Sequence, residues 1–254
     1  MVETFRLSNG VEMPLLGYGV FQVSPEECER CVSDALSVGY RLIDTAQAYF
    51  NEEGVGNAWR KSGLKREDLF LVTKVWISNN GEEKAAKSID ESLKKLQTEY
   101  IDLLLIHQAY GDVFGTWRAM EKAYRAGKVR AIGVSNFQAA RFFDFAHYVE
   151  VKPMVNQLQC NVMIQQTGIE PILAETDTKM MAWGHYWSWD PKETWAAITW
   201  FAYLIYVHYR QIPTHKPKLA LWVLLVSFLL LQMCWWGINY LPSAQSSSVH
   251  VYGQ

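Results

Sequence analysis

The chain has 254 residues, enough for one large α/β domain or two smaller units, and its net charge of −2 gives no footing for nucleic acid. Four scattered cysteines argue against a disulfide framework. The average composition hides a break. Eight of the 11 tryptophans stand at or after Trp183; residues 1–178 carry 19 Lys/Arg against 24 Asp/Glu, and residues 179–254 carry 5 against 2.

Met1 to Leu16 is polar and strand-like and carries no apolar h-region, so no export signal is expected. Phe5–Met13 reads as a β-hairpin, with Asn9-Gly10 as a type I′ turn. Ser24 and Glu27 then make a capping box before a helix over Pro25–Val38. Cys28-Glu29-Arg30-Cys31 has C-x-x-C spacing but sits in this charged helix, and no second pair follows, so no metal is expected. Short apolar runs at Arg41–Asp44, Leu69–Lys74, Ile101–His107, Val129–Ser135 and Met154–Gln159 alternate with helical stretches near Gly54–Lys61, Gly81–Leu96, Thr116–Ala126 and Gln138–Tyr148. This alternation predicts parallel βαβ units.

Polar or reactive residues close most of these strands: Asp44, Lys74, His107, Ser135-Asn136 and Gln157. In a (β/α)8 barrel such strand ends face the active site, and in a doubly wound sheet they form the ligand edge. No G-x-G-x-x-G follows the first strand, since Gly17-Tyr18-Gly19 lacks a third glycine, and this favours the barrel. Taken singly, Tyr49 reads as a loop tyrosine, His107 as a core histidine, and Asp44 with Lys74 as a strand-end ion pair.

Together they say more. The stretch from Asp44 to Glu52 (DTAQAYFNE), Val72–Trp76 (VTKVW), Ile101–His107 (IDLLLIH), Ile132–Phe137 (IGVSNF) and Val155-Asn156-Gln157 follow one another in an order that resembles the aldo-keto reductase family over about residues 3–184. The resemblance implies an NADPH-dependent reduction of small aldehydes or ketones to alcohols. It casts Tyr49 as general acid, Lys74 as the charge that tunes it, Asp44 as the holder of Lys74, and His107 as the group that orients the carbonyl. Ser135, Asn136 and Gln157 match positions that hold the nicotinamide carboxamide. Trp183 matches an aromatic that stacks on the nicotinamide ring, and Trp76 would line the substrate pocket. A tyrosine with its ordinary pKa of about 10 is a poor donor near neutrality, and an adjacent ammonium is expected to favour the phenolate. In the family, the segments that bind the pyrophosphate and the adenosine 2′-phosphate follow the position of Trp183; here the pattern changes instead.

After Met181 the chain turns apolar and aromatic. Trp195–Tyr209 reaches about 18 residues if counted from Lys192, and Leu219–Leu241 runs 23 residues without a charge, so a transmembrane helical hairpin is expected. Trp183 to Trp195 (WGHYWSWDPKETW) resembles the tryptophan-rich WWD motif of heme-handling cytochrome c assembly proteins, and Ala196–Tyr240 resembles the last two spans of that family. That second resemblance implies heme, met by Trp183, Trp187, Trp189 and Asp190, with His250 at the place of an axial ligand. Loop charges Arg210, Lys216 and Lys218 put the loop on the cytoplasmic side. The WWD motif then lies outside, on the side opposite to that of a cytoplasmic-type reductase.

The expectation is an α/β chain: a partial (β/α)8 TIM barrel of about six to seven of its eight strands over residues 1–182, then an all-α transmembrane hairpin over residues 183–254. Ala182-Trp183-Gly184 serves both families with no linker between them, which points to a chimera of two truncated genes.

Overall fold

The computed structural model describes residues 3–161, 164–183 and 191–235. Two strands open the chain, β1 (Thr4–Arg6) and β2 (Glu12–Pro14), paired antiparallel with Phe5 opposite Met13. The turn between them differs from expectation. Gly10 N donates to Leu7 O at 2.8 Å, and only Gly10 has a positive φ, at 87°. A type I′ turn needs positive φ at both central residues; here Ser8 and Asn9 are the central pair and Gly10 follows in the left-handed region. Asn9 is freed for another task, donating from Nδ2 to Arg130 O at 2.8 Å and so tying the hairpin to a distant strand.

Seven further strands form one all-parallel sheet in chain order: β3 (Gly17–Gly19), β4 (Leu42–Asp44), β5 (Phe70–Val75), β6 (Ile101–Ile106), β7 (Val129–Ser135), β8 (Val155–Gln159) and β9 (Lys179–Trp183). Between them run α1 (Pro25–Ser37), α2 (Glu52–Lys61), α3 (Glu82–Lys95), α4 (Val113–Arg125), α5 (Ala139–Tyr148) and α6 (Glu170–Glu175). Strands β5 and β6 are buried at every residue, the mark of a sheet covered on both faces. Each helix turns one stripe inward: α1 buries Cys28, Val32, Ala35 and Leu36, at the spacing of one helical face.

The sheet is curled. Gln157 on β8 donates to Asp44 on β4 at 2.8 Å, although four strand spacings of about 4.8 Å would set them roughly 19 Å apart in a flat sheet. Seven parallel strands curled in this way, alternating with helices, are the (β/α)8 plan. The sheet order runs from β3 at one end to β9 at the other.

Local differences have local causes. Ser24 Oγ accepts from Glu27 N as expected of a cap, but the Glu27 carboxylate turns to Arg30 instead of completing the box. Helix α4 starts three residues earlier than the periodicity suggests because Asp112 caps it, accepting from Gly115 N at 2.7 Å. Strand β3 has no periodicity to betray it. Its Gly17 lies so close to Leu42 that a Cβ there would come within 2.4 Å of Leu42 Cδ2.

Chain contacts divide the molecule into two compact units, Met1–Gly184 and His185–Gln254. In the second, α7 (Pro191–Gln211) packs on α8 (Pro217–Trp235). The hydroxyls of Thr199 and Ser227 bond back to the carbonyls of Trp195 and Val223, both at 2.8 Å, which satisfies them inside an apolar helix. Among the described residues only α8 is long and apolar enough to cross a membrane, over Pro217–Cys234. The stretch Trp195–Tyr209 belongs to α7. Residues 236–241 of the expected second span lie outside the described residues, as do Trp187, Trp189, Asp190 and His250.

Candidate active site

The strand ends that the sequence singled out converge. Asp44 closes β4, Lys74 is the fifth residue of β5, His107 follows β6, Ser135 closes β7, and Gln157 is central in β8. Tyr49 ends a short 3-10 turn, Gln47–Tyr49, that follows β4. Parallel pairing sets these residues at one end of the sheet: His107 N donates to Val75 O at 3.1 Å, and Asn136 N to Gln157 O at 2.9 Å.

Lys74 is the centre of the cluster and is almost wholly buried, at 1% exposure. A buried ammonium is costly unless paired. Its Nζ forms an ion pair with Asp44 Oδ1, donates to Thr45 O at 2.9 Å, and reaches Tyr49 Oη at 3.5 Å. The second carboxylate oxygen of Asp44 accepts from Gln157 Nε2, which also lies 3.2 Å from Met181 Sδ. Asn136, in the left-handed region at φ 63°, donates from Nδ2 to His107 O at 3.0 Å and to Ser135 Oγ at 3.2 Å. The rings of Tyr49 and His107 meet edge to face with centroids 5.6 Å apart, and Trp76 meets His107 at 4.9 Å. Trp183 ends β9 opposite Gln159; its side chain lies outside the described residues.

The electrostatics correct one expectation. Burial pushes the Tyr49 phenol above its ordinary pKa, and this outweighs the Lys74 ammonium, which pulls it down; the Asp44 carboxylate adds to the rise. The phenol is thus held protonated, the form that can give a proton away. His107 is driven down to about 3 by burial first and by Lys74 second, so its ring is neutral near pH 7. Its Nδ1 is buried and has no hydrogen-bond partner among the described residues.

This depression has a measurable consequence. An unfolded chain takes up a proton at His107 near its ordinary value of 6.5, while the folded chain does so only near 3. The unfolded state binds more protons between those values, so the contribution of His107 to stability is full above about pH 6.5 and falls as the pH drops. Urea midpoints of the full chain measured between about pH 7 and pH 5 should fall less steeply for His107→Asn than for the unchanged protein. Equal slopes would show that His107 is not held neutral.

Other polar groups lie elsewhere. Asp102, fully buried, accepts from Leu71 N and pairs with Arg66 and Arg130 near the start of β6; it holds the sheet together at that end. Cys28 donates to Asn51 O at 3.4 Å and its thiol is pushed up to about 11 by burial. Three groups in the site went unnoticed in the sequence: the carbonyl of Thr45, Met181, and Gln47, whose amide ties the Tyr49 turn to its neighbours. Thr45 and Gln47 both lie inside the Asp44–Glu52 motif, but nothing in that motif marks their part.

The model of the Aldo/keto reductase family matches residues 15–186, more than half of the chain and all of the site. The chain belongs to the aldo/keto reductase family. A glyoxal reductase of Bacillus subtilis (strain 168) is 44% identical over 183 residues, covering 71% of this chain and 66% of its own. The chain therefore spans just under two thirds of that relative's length. An aldo/keto reductase from Brucella melitensis superposes with a TM-score of 0.72 at 42% identity, covering 79% of each chain. An aldo-keto reductase from Bombyx mori solved in complex with NADP gives 0.69 at 30% identity, over 72% of this chain and 66% of that one. A second family model, described as Cytochrome C assembly protein, matches residues 180–244. The two matches overlap only at residues 180–186.

Proposed function

We propose that the first unit is a carbonyl reductase that takes NADPH and a small aldehyde or ketone, glyoxal among them. The observation that carries this reading is one buried ammonium, Lys74, shared between the Asp44 carboxylate and the Tyr49 hydroxyl, beside a neutral His107. The residues present suit the nicotinamide end of the cofactor. Ser135, Asn136 and Gln157 bring hydroxyl and amide groups to the adjoining ends of β7 and β8, the chemistry that pairs with a carboxamide, and Trp183 would stack on the ring. The bound cofactor would supply a hydride to the carbonyl carbon.

The chain's own groups do the remainder. His107, as a neutral donor, would hold the carbonyl oxygen and polarise it. As negative charge gathers on that oxygen, Tyr49 would give up its proton, and Lys74 would stabilise the phenolate left behind. Asp44 holds Lys74 in place. Trp76, edge-on to His107, would form a wall of the pocket.

Titrating the full chain with NADPH tests the reading at its first step. Saturable quenching of tryptophan fluorescence is expected, and no change over the millimolar range would sink it.

The cytochrome c assembly match and the apolar α8 favour a second reading for the C-terminal unit: association with a membrane and capture of heme, using Trp183, Trp187, Trp189, Asp190 and His250. A heme absorption band in purified membranes that is lost in His250→Ala would support it. The short overlap of the two matches also fits a fusion of two unrelated coding segments. One long sequencing read across codon 183 that failed to join them would show the fusion to be an artefact of sequence assembly.

A further inference from the structure

We propose that Gln47 is a positioning residue that fixes Trp76 and the Tyr49 turn against each other on either side of His107. The proposal rests on the reductase reading for its catalytic consequence and on geometry for the rest.

The side-chain amide of Gln47 can accept two hydrogen bonds and donate two, and all four are made. Its Oε1 accepts from Trp76 N at 2.9 Å and from Asn79 Nδ2 at 2.9 Å. Its Nε2 donates to Ser92 Oγ at 3.1 Å and to Ser88 O at 3.3 Å. The orientation of the amide is forced: the Trp76 N–H can only donate and the Ser88 carbonyl can only accept, so exchanging O and N would set like against like at both ends.

The partners belong to two elements. Trp76 and Asn79 bracket the turn that follows β5, and Ser88 and Ser92 are buried on α3. Gln47 itself opens the 3-10 turn that ends in Tyr49. One side chain thus joins the segment carrying Tyr49, the segment carrying Trp76 and the helix behind both. The buried carboxyl of Glu52 accepts from Thr73 Oγ1 at 2.6 Å, and Thr73 precedes Lys74. Trp76 is in turn edge-on to His107, and His107 to Tyr49. Losing the amide would free the backbone of Trp76, and with it the wall that faces His107.

The test uses the full chain in detergent micelles, labelled with 5-fluorotryptophan, with the Trp76 fluorine resonance assigned by Trp76→Phe. In Gln47→Leu the Trp76 resonance should shift and broaden, while those of Trp59 and Trp117, buried elsewhere in the same unit, should stay in place. Gln47→Glu keeps an oxygen acceptor for Trp76 N but loses the donors to Ser88 O and Ser92 Oγ, so its Trp76 resonance should lie between the native position and that of Gln47→Leu. With glyoxal as substrate, kcat/KM of Gln47→Leu should fall about tenfold, chiefly through KM, with NADPH quenching unchanged. An unmoved Trp76 resonance in Gln47→Leu overturns the proposal, as does its loss in a folded Gln47→Glu. If Gln47→Leu moves all three resonances together it has lost its fold, and Gln47→Glu then decides. If the unchanged chain oxidises no NADPH, the reductase reading fails, and the fluorine resonances still decide whether Gln47 positions Trp76.

Discussion

Tyr49→Phe should lower NADPH-dependent reduction of glyoxal by about 10²- to 10⁴-fold, the range a positioned acid contributes. The substitution is narrow. Phenylalanine keeps the ring that lies 5.1 Å from Phe21 and 5.6 Å from His107, and only the hydroxyl is removed. That hydroxyl makes a long contact, 3.5 Å, to Lys74, so little folding energy depends on it. Stability should change by no more than about 0.5 kcal/mol, and NADPH should quench as before. A loss of rate together with a loss of the thermal transition would mean that Tyr49 supports the fold, not the chemistry.

Lys74→Met should cost more on both counts. Methionine fills much the same space but leaves the Asp44 carboxylate, only 15% exposed, with Gln157 as its remaining partner. Breaking such a pair from one side typically costs about 3–5 kcal/mol, because the surviving charge is stranded. Activity should fall as well, because the ammonium is what pulls the Tyr49 phenol downward against burial. The double change Asp44→Asn with Lys74→Met separates the effects. Removing both charges should recover most of the stability lost in Lys74→Met, a coupling of at least about 3 kcal/mol in a double-mutant cycle, while the rate stays low. Additive losses of stability would show that the two residues do not share one interaction.

Much of the first unit was legible because its signals are of the strong kind. Buried strands such as Phe70–Val75 and Ile101–Ile106 are unbroken apolar runs, and helices such as α1 and α3 keep one apolar stripe. The site residues were legible because each closes such a run. What escaped had no run to close. Strand β3 is three residues, two of them glycine, and owes its place to contact with Leu42. Helix α6 and strand β9 lie where the apolar pattern is short and mixed. The hairpin turn type depends on which of two neighbouring residues takes positive φ, which the Asn-Gly pair does not decide.

The site was legible in identity but not in charge. The sequence places Lys74 near Tyr49, and proximity alone argues for a phenolate. Only the folded surroundings show that burial acts the other way and with more effect. Gln47 was silent for a different reason: an amide has no titration and no nucleophile, and its value lies entirely in the four partners that the fold brings to it.

The central claim is that the cluster around Lys74 still reduces a carbonyl in this chain, although the chain spans just under two thirds of its glyoxal-reducing relative. The most direct measurement is NADPH absorbance during incubation of the full chain with glyoxal near pH 7, run beside Tyr49→Phe. The unchanged chain should oxidise NADPH steadily and the variant almost not at all. No oxidation by either, or the same rate in both, would show that the Lys74 cluster does not reduce a carbonyl in this chain.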